Sequence, residues 1–119
     1  MITSNDFRLN PSPSKMIPSD MTAQESFTTD DKAELIAEAF ALDDESVLSG
    51  VWECAPCREE IEAYPVHEMM TLISGALTLT HPDGRAENFV AGDTFFIAKG
   101  APVIWEITER LRKFYMIAA

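Results

Sequence analysis

Glu68 is the residue of this chain best placed to do chemistry. It stands in HEMMTLIS, among apolar strand-forming residues. A carboxylate that faces an apolar interior loses solvation, which favours its protonated form. Such a group can serve as general acid or base, or pair with a cationic ligand. The plainer reading is a carboxylate hydrogen-bonded to a neighbour at the edge of a core. His67 is adjacent, so in a regular strand it points to the opposite face and reads as a surface or interface residue. His81 precedes Pro82 in a turn and is expected in solvent. Cys54 and Cys57 have C-x-x-C spacing, which suits a redox pair or half of a zinc site. The other half would have to be His67 and His81, whose separation fits no usual finger. No βαβ context supports a thioredoxin-like role, and a buried cysteine is ordinarily just a small hydrophobe. Trp52 and Trp105 bring large aromatic faces and one N–H each that wants a partner. Arg110, Arg112 and Lys113 form a basic cluster, which reads as a solvated face.

The elements that must position these residues are strands. The stretch from His67 to Gly100 alternates apolar runs with tight turns. Strands are predicted over Val66–Ile73 and Ala76–Thr80, with Gly75 permitting a sharp bend between them. Pro82-Asp83-Gly84 is a turn. Further strands follow at Arg85–Val90, Thr94–Ala98, Val103–Thr108 and Lys113–Ile117. Upstream, Val47–Cys54 is a strand in which Gly50 marks a bulge or a close approach. Ala55–Pro65 is polar and acidic, and reads as a loop or ragged edge strand. Asp30–Leu42 has helical propensity, yet it leads directly into the turn at Asp43–Ser46 and the next strand. That is the shape of a hairpin, and Ile36–Leu42 is taken as strand. Residues 1–30 form an irregular arm, broken by Pro11, Pro13 and Pro18. Phe7, Leu9, Met16, Ile17, Met21 and Phe27 are its scattered apolar anchors. The arm either packs on its own barrel or reaches across to a second subunit. Residues 31–119 form the barrel.

Bulk properties narrow the function. A chain of 119 residues is one domain, able to bury roughly two-thirds of its unfolded surface. Its net charge of −11 argues against nucleic acid and against an anionic membrane surface. Met1–Pro18 has no apolar core of a signal peptide, and no run approaches a membrane span. The cytoplasm is therefore the expected compartment. Two cysteines are too few for a disulfide scaffold.

Several stretches taken together resemble a known family. E-x-x-x-x-x-x-G from Glu68 to Gly75, followed by GDTFFIAKG from Gly92 to Gly100, resembles the two cupin motifs with a short spacer. GVWEC at Gly50–Cys54, the pair Trp105-Glu106, and RKFYMI at Arg112–Ile117 are similar to one branch. That branch holds the cupin domain of ureidoglycine aminohydrolase and the ethanolamine-utilisation cupins. The resemblance implies an all-β jelly-roll barrel, often dimeric, with a pocket inside one end. Metal-binding cupins usually present three His and one Glu. Here the three His positions fall on Ile61, Ala63 and Val103, and only Glu68 survives. The resemblance thus implies no standard transition-metal centre, because such a site wants three or four N, O or S ligands. Slippage of the irregular loop would be needed to bring His67, Glu60 or Glu62 into play. In the closing strand, where the family often has K-H-Y, Phe114 replaces the His between Lys113 and Tyr115.

Trp105 shares strand parity with Val103, which places it toward the same cavity as Glu68. The expected pocket is therefore lined by Glu68, Met70, Trp105 and Tyr115, with Trp52 as a further wall. Aromatic walls with one carboxylate suit a small polar or nitrogenous metabolite. The leading expectation is a small-molecule-binding cupin with a degenerate metal site and no cofactor, in a homodimer. One alternative is an aminohydrolase or isomerase using Glu68 as acid–base group. Another is a non-catalytic structural or regulatory dimer.

Overall fold

The computed structural model describes residues 8–119, and the expected anchor Phe7 lies outside them. The strands are β1 Ile17–Pro18, β2 Glu34–Ala41, β3 Val47–Cys54, β4 Cys57–Ile61, β5 His67–Thr80, β6 Ala86–Val90, β7 Thr94–Ile97 and β8 Val103–Ala118. A single 3₁₀ turn, Gln24–Ser26, precedes β2. All pairings are antiparallel. They run β1-β2-β3-β8-β5-β6, with β4 joined to β8 and β7 joined to β5. The fold is the all-β jelly-roll barrel that the resemblance implies.

Two long strands organise it. β5 and β8 pair with each other from His67↔Ala118 to Thr80↔Ile104. On its other edge β5 holds β7 along its first half and β6 along its second. β8 likewise holds β4 and then β3. The sequence pattern predicts each as two separate strands. The bend at Gly75 does not end β5. It is absorbed by register shifts between Leu72 and Leu77. Gly75 sits at φ 90°, and a Cβ there would lie 2.1 Å from the Arg110 carbonyl oxygen. The bend thus requires glycine both for its backbone conformation and for the close crossing of β8.

β2 is a strand despite its helical propensity. It has a partner on each edge, with Ile36 facing Ile17 of β1 and Trp52 of β3. Tertiary pairing outweighs the few tenths of a kcal/mol per residue at stake in propensity. The bulge lies in β2, between Glu38 and Phe40. Gly50 opposite it is the close approach, since a Cβ there would meet the Ala37 carbonyl at 2.3 Å. The polar stretch after Cys54 contains β4, which closes the barrel against the first half of β8.

The arm packs along its own barrel, held by Phe27 but not by Ile17 or Met21. Ile17 and Met21 are 54% and 75% exposed, while Phe27 packs against the core. The second anchor is polar. The buried Glu34 carboxylate accepts from the Ser19 hydroxyl, from the backbone N–H groups of Met21 and Thr22 (3.0 and 2.9 Å), and from Trp52 Nε1 at 3.1 Å. Burial alone would raise this carboxyl. The donors from Ser19, Thr22, Trp52 and Met21 together outweigh it and hold its pKa below the ordinary value.

Candidate functional site

Strand alternation turns Glu68, Met70 and Leu72 of β5 inward, together with Val103, Trp105, Lys113 and Tyr115 of β8. The structure therefore brings the expected set together, with Trp52 added from β3. What fills the space between these residues is Lys113. Its ammonium donates to Glu68 Oε2 at 2.7 Å and approaches Met70 Sδ at 3.5 Å. It lies 4.8 Å from the Trp52 ring centre and 4.7 Å from that of Trp105. The two indoles meet edge to face at 6.3 Å. The side chains of Lys113 and Glu68 are each only 6% exposed. The remaining carboxylate oxygen accepts from Tyr64 Oη at 2.6 Å.

This arrangement corrects the reading of Arg110, Arg112 and Lys113 as one solvated cluster. The two arginines point outward. Arg110 makes two bonds to Glu53 Oε2, and Arg112 holds Oε1 at 2.8 Å. Burial alone would raise Glu53, but the two guanidiniums hold it below its ordinary value. Lys113 shares the parity of Trp105 and Tyr115, and that was the signal for its inward course. Tyr64 carried no such signal, because it lies in a loop. Two backbone bonds pin that loop to the turn before β8, Tyr64 N–H to the Ala101 carbonyl and Gly100 N–H to the Tyr64 carbonyl.

Burying two opposite charges costs several kcal/mol per ion. The short ion pair, the phenol and two desolvated cation–π contacts of about 2 kcal/mol each offset that cost. Burial and the facing carboxylate push the Tyr64 phenol well above its ordinary pKa, so it stays a donor. Tyr115 is pushed up to about 12 by burial and by Glu38 and Glu68. The amine that an aromatic cage with one carboxylate should attract is thus supplied by the chain itself.

The same geometry bears on whether these residues fit a metal. Ile61 and Val103 face each other across β4 and β8, and neither can ligate. Glu68 is already neutralised by an ammonium whose charge would repel a metal ion. His67 points outward, accepts the Lys99 N–H through Nδ1 at 3.1 Å and stacks on Phe96. Among the described residues no three His, Cys, Asp or Glu side chains gather as a metal site would need. The residues present do not fit a cupin metal centre. Cys54 and Cys57 are free thiols with no exposed surface. The hydrogen bond with Cys57, together with burial, pushes the Cys54 thiol well up, which makes it a poor nucleophile.

Open space lies instead at one end of the barrel. One cavity of about 230 Å³ is lined by Leu79, Phe89, Phe95, Phe96 and Ile97, with His81 and Glu87 also on its wall. A second of about 320 Å³ adjoins it across His81, Pro102 and Val103, and adds Glu60 and Glu62. Phe89 and Phe95 stack at 4.0 Å. His81 is not simply solvated, since its Nε2 lies 2.6 Å from Glu87 Oε2. Sequence reasoning did not single out this mouth, although the turn at Pro82–Gly84 brings its strands together. Neither cavity is lined by Glu68, Met70, Trp52, Trp105 or Tyr115.

The EutQ-like cupin domain matches residues 42–115 of the chain. The chain belongs to the EutQ-like cupin family. A Pseudomonas syringae protein of unknown function, from the DUF861 family, superposes with a TM-score of 0.82 at 27% identity. The match covers 92% of this cupin but only 46% of that protein, so the chain spans less than half its length. The ethanolamine utilization protein Q of Salmonella typhimurium superposes at 0.60 with 20% identity, over 72% of this chain and 69% of that one. The EutQ protein of Clostridium difficile gives 0.60 at 22%, over 73% and 68%. The last two likenesses show the fold alone. No curated protein matches this cupin in sequence. No helix among its described residues is long and apolar enough to cross a membrane.

Proposed function

We propose that this cupin binds a small nitrogenous metabolite at the barrel mouth rather than beside Glu68. One observation carries the reading. The two adjoining cavities are open, while the interior cage is filled by Lys113. The larger, of about 320 Å³, reaches the lower end of the range for small-molecule sites, roughly 300–1,000 Å³, and the smaller, of about 230 Å³, adjoins it. The lining offers three phenylalanines, three glutamates and one histidine, and Arg58 and Arg85, outside the lining, reach Glu60 and Glu87 at 3.6 and 3.7 Å. Such walls disfavour an anion and suit a cation or a neutral ureido group attached to a flat or apolar body. The interior ion pair then serves stability. It is an internal counter-charge for the one carboxylate kept from the cupin motif. Catalysis by Glu68 as an aminohydrolase or isomerase would require Lys113 or Tyr64 to give up its bond first.

Calorimetric titration with benzylammonium, butylammonium and phenylurea tests the reading. It expects saturable binding of at least one, weakened about tenfold by Phe95→Ala or Glu87→Gln, each worth about 1.4 kcal/mol. Absence of binding, or binding that both variants leave untouched, would contradict it.

A further inference from the structure

The two cavities at the mouth differ in what lines them. The smaller is bordered by Phe89, Phe95 and Phe96, and its carboxylate is Glu87. The larger carries Glu60 and Glu62 and no Phe, Tyr or Trp. His81, Pro102 and Val103 border both, so they form a rim between the two. His81 is fixed on this rim by its turn. Its N–H donates to the Arg85 carbonyl at 2.9 Å, and its own carbonyl accepts the Gly84 N–H at 2.9 Å. Register shows what lies beyond. Val103 faces Ile61, and in the next row Ile104 of β8 faces both Glu60 of β4 and Thr80 of β5. Strand alternation turns that row to the opposite side of the sheet from Val103 and Leu79. The aromatic cavity thus lies inside the barrel end, and the acidic one continues over the edge toward the outer face. The carboxylates also differ in their partners. Glu87 meets His81 and Arg85, and Glu60 meets Arg58. Glu62 is exposed and has neither an ion pair nor a hydrogen bond among the described residues.

Taking the mouth as the binding site proposed above, we infer that it selects elongated amines. The aryl end lies among the phenylalanines, and the terminal ammonium lies beyond the rim at Glu62. The charges favour this direction. An ammonium beside Glu87 or Glu60 must share the carboxylate with a cation of the chain, whereas at Glu62 it meets a carboxylate that no described residue answers. The span favours length. β4, which leads into Glu62, and β6, which carries Phe89, are separated by β8 and β5. Three strand spacings of about 4.8 Å put them about 14 Å apart. Benzylammonium, with a single methylene between ring and charge, is too short to cover that span and stays beside Glu87. A linker of several methylenes crosses the rim, where Pro102 and Val103 give it apolar contact. An anion of the same length would meet Glu62 with like charge and be repelled.

Calorimetric titration of the full chain with benzyl-, phenethyl-, phenylpropyl- and phenylbutylammonium reads the result, with phenylbutanol as the uncharged control. Affinity should rise along the series. Glu62→Gln should weaken phenylbutylammonium about fivefold, the upper end for a partly exposed ion pair. It should leave benzylammonium and phenylbutanol unchanged. Thermal unfolding should also stay unchanged, since Glu62 is exposed and unpaired among the described residues. Binding of benzylammonium with no gain along the series would overturn the inference and leave the mouth as a binding site. So would a phenylbutylammonium affinity that Glu62→Gln does not alter, or an equal loss for phenylbutanol. Failure of every ammonium to bind would remove both the inference and the site.

Discussion

Two regions of this barrel contain the ingredients of a binding site, and they differ in whether the chain fills the space between them. In the interior, Glu68 is answered by Lys113 and Tyr64, and two indoles flank the ammonium. At the mouth, Phe89, Phe95 and Phe96 border open space, and Glu60, Glu62 and Glu87 line it. A carboxylate among aromatics is thus not in itself a site. What matters is whether the carboxylate and its partner fill the space between the aromatics, as Glu68 and Lys113 do, or leave it open, as the exposed pairs of Glu60 with Arg58 and of Glu87 with His81 and Arg85 do.

The strongest way to break this comparison is to remove the internal partner. Lys113→Ala should cost about 3–5 kcal/mol in urea unfolding, because it strands a buried carboxylate. The double change Glu68→Leu with Lys113→Met should recover most of that loss, since two apolar groups no longer need each other. If the double variant is as unstable as the single one, the pair is not the source of the cost.

Next in size is the other buried carboxylate. Glu34→Gln should cost about 1–3 kcal/mol, the range for a buried hydrogen-bonded group, and limited proteolysis should then cut within the arm. The pH dependence follows in sign. Glu34 titrates below its ordinary value in the folded chain, so its contribution is full above the ordinary carboxylate range. That contribution fades as pH falls through the folded value, and Glu34→Gln should flatten this limb of the stability curve. At the alkaline end Tyr115, pushed up to about 12, acts oppositely. Its contribution is full below about 10 and is lost as pH rises toward the folded value. Tyr115→Phe should remove that limb. The smallest effect is expected at the mouth itself. Glu87→Gln should leave thermal stability nearly unchanged, as partly exposed ion pairs are worth about 0–1 kcal/mol, while weakening ligand binding.

The fold was legible because its signals are local. Turn residues such as Pro82-Asp83-Gly84 and the alternation in β5 and β8 specify strands directly. The long strands were read as pairs of short ones because bulges around Gly75 hide their continuity. The inward set Glu68, Met70, Trp105 and Tyr115 followed from parity and from the family's motifs. Lys113 was misplaced because neighbours in sequence were read as one patch, although adjacent strand residues face opposite sides. Tyr64 and the mouth cavities depend on how a loop folds back over β8, which no local pattern encodes. The polar anchoring of the arm through Glu34 is likewise a long-range matter, joining residues 19–22 to 34 and 52.

The central claim is that the interior is closed and the mouth is open. The two tryptophans make it directly measurable, because each indole N–H gives its own signal in a ¹H–¹⁵N correlation spectrum. Titration with benzylammonium should shift the backbone amides of His81, Phe89 and Phe95 and leave both indole signals in place. Movement of the Trp52 and Trp105 signals, with the mouth amides unmoved, would show that an external amine displaces Lys113 and would contradict the account.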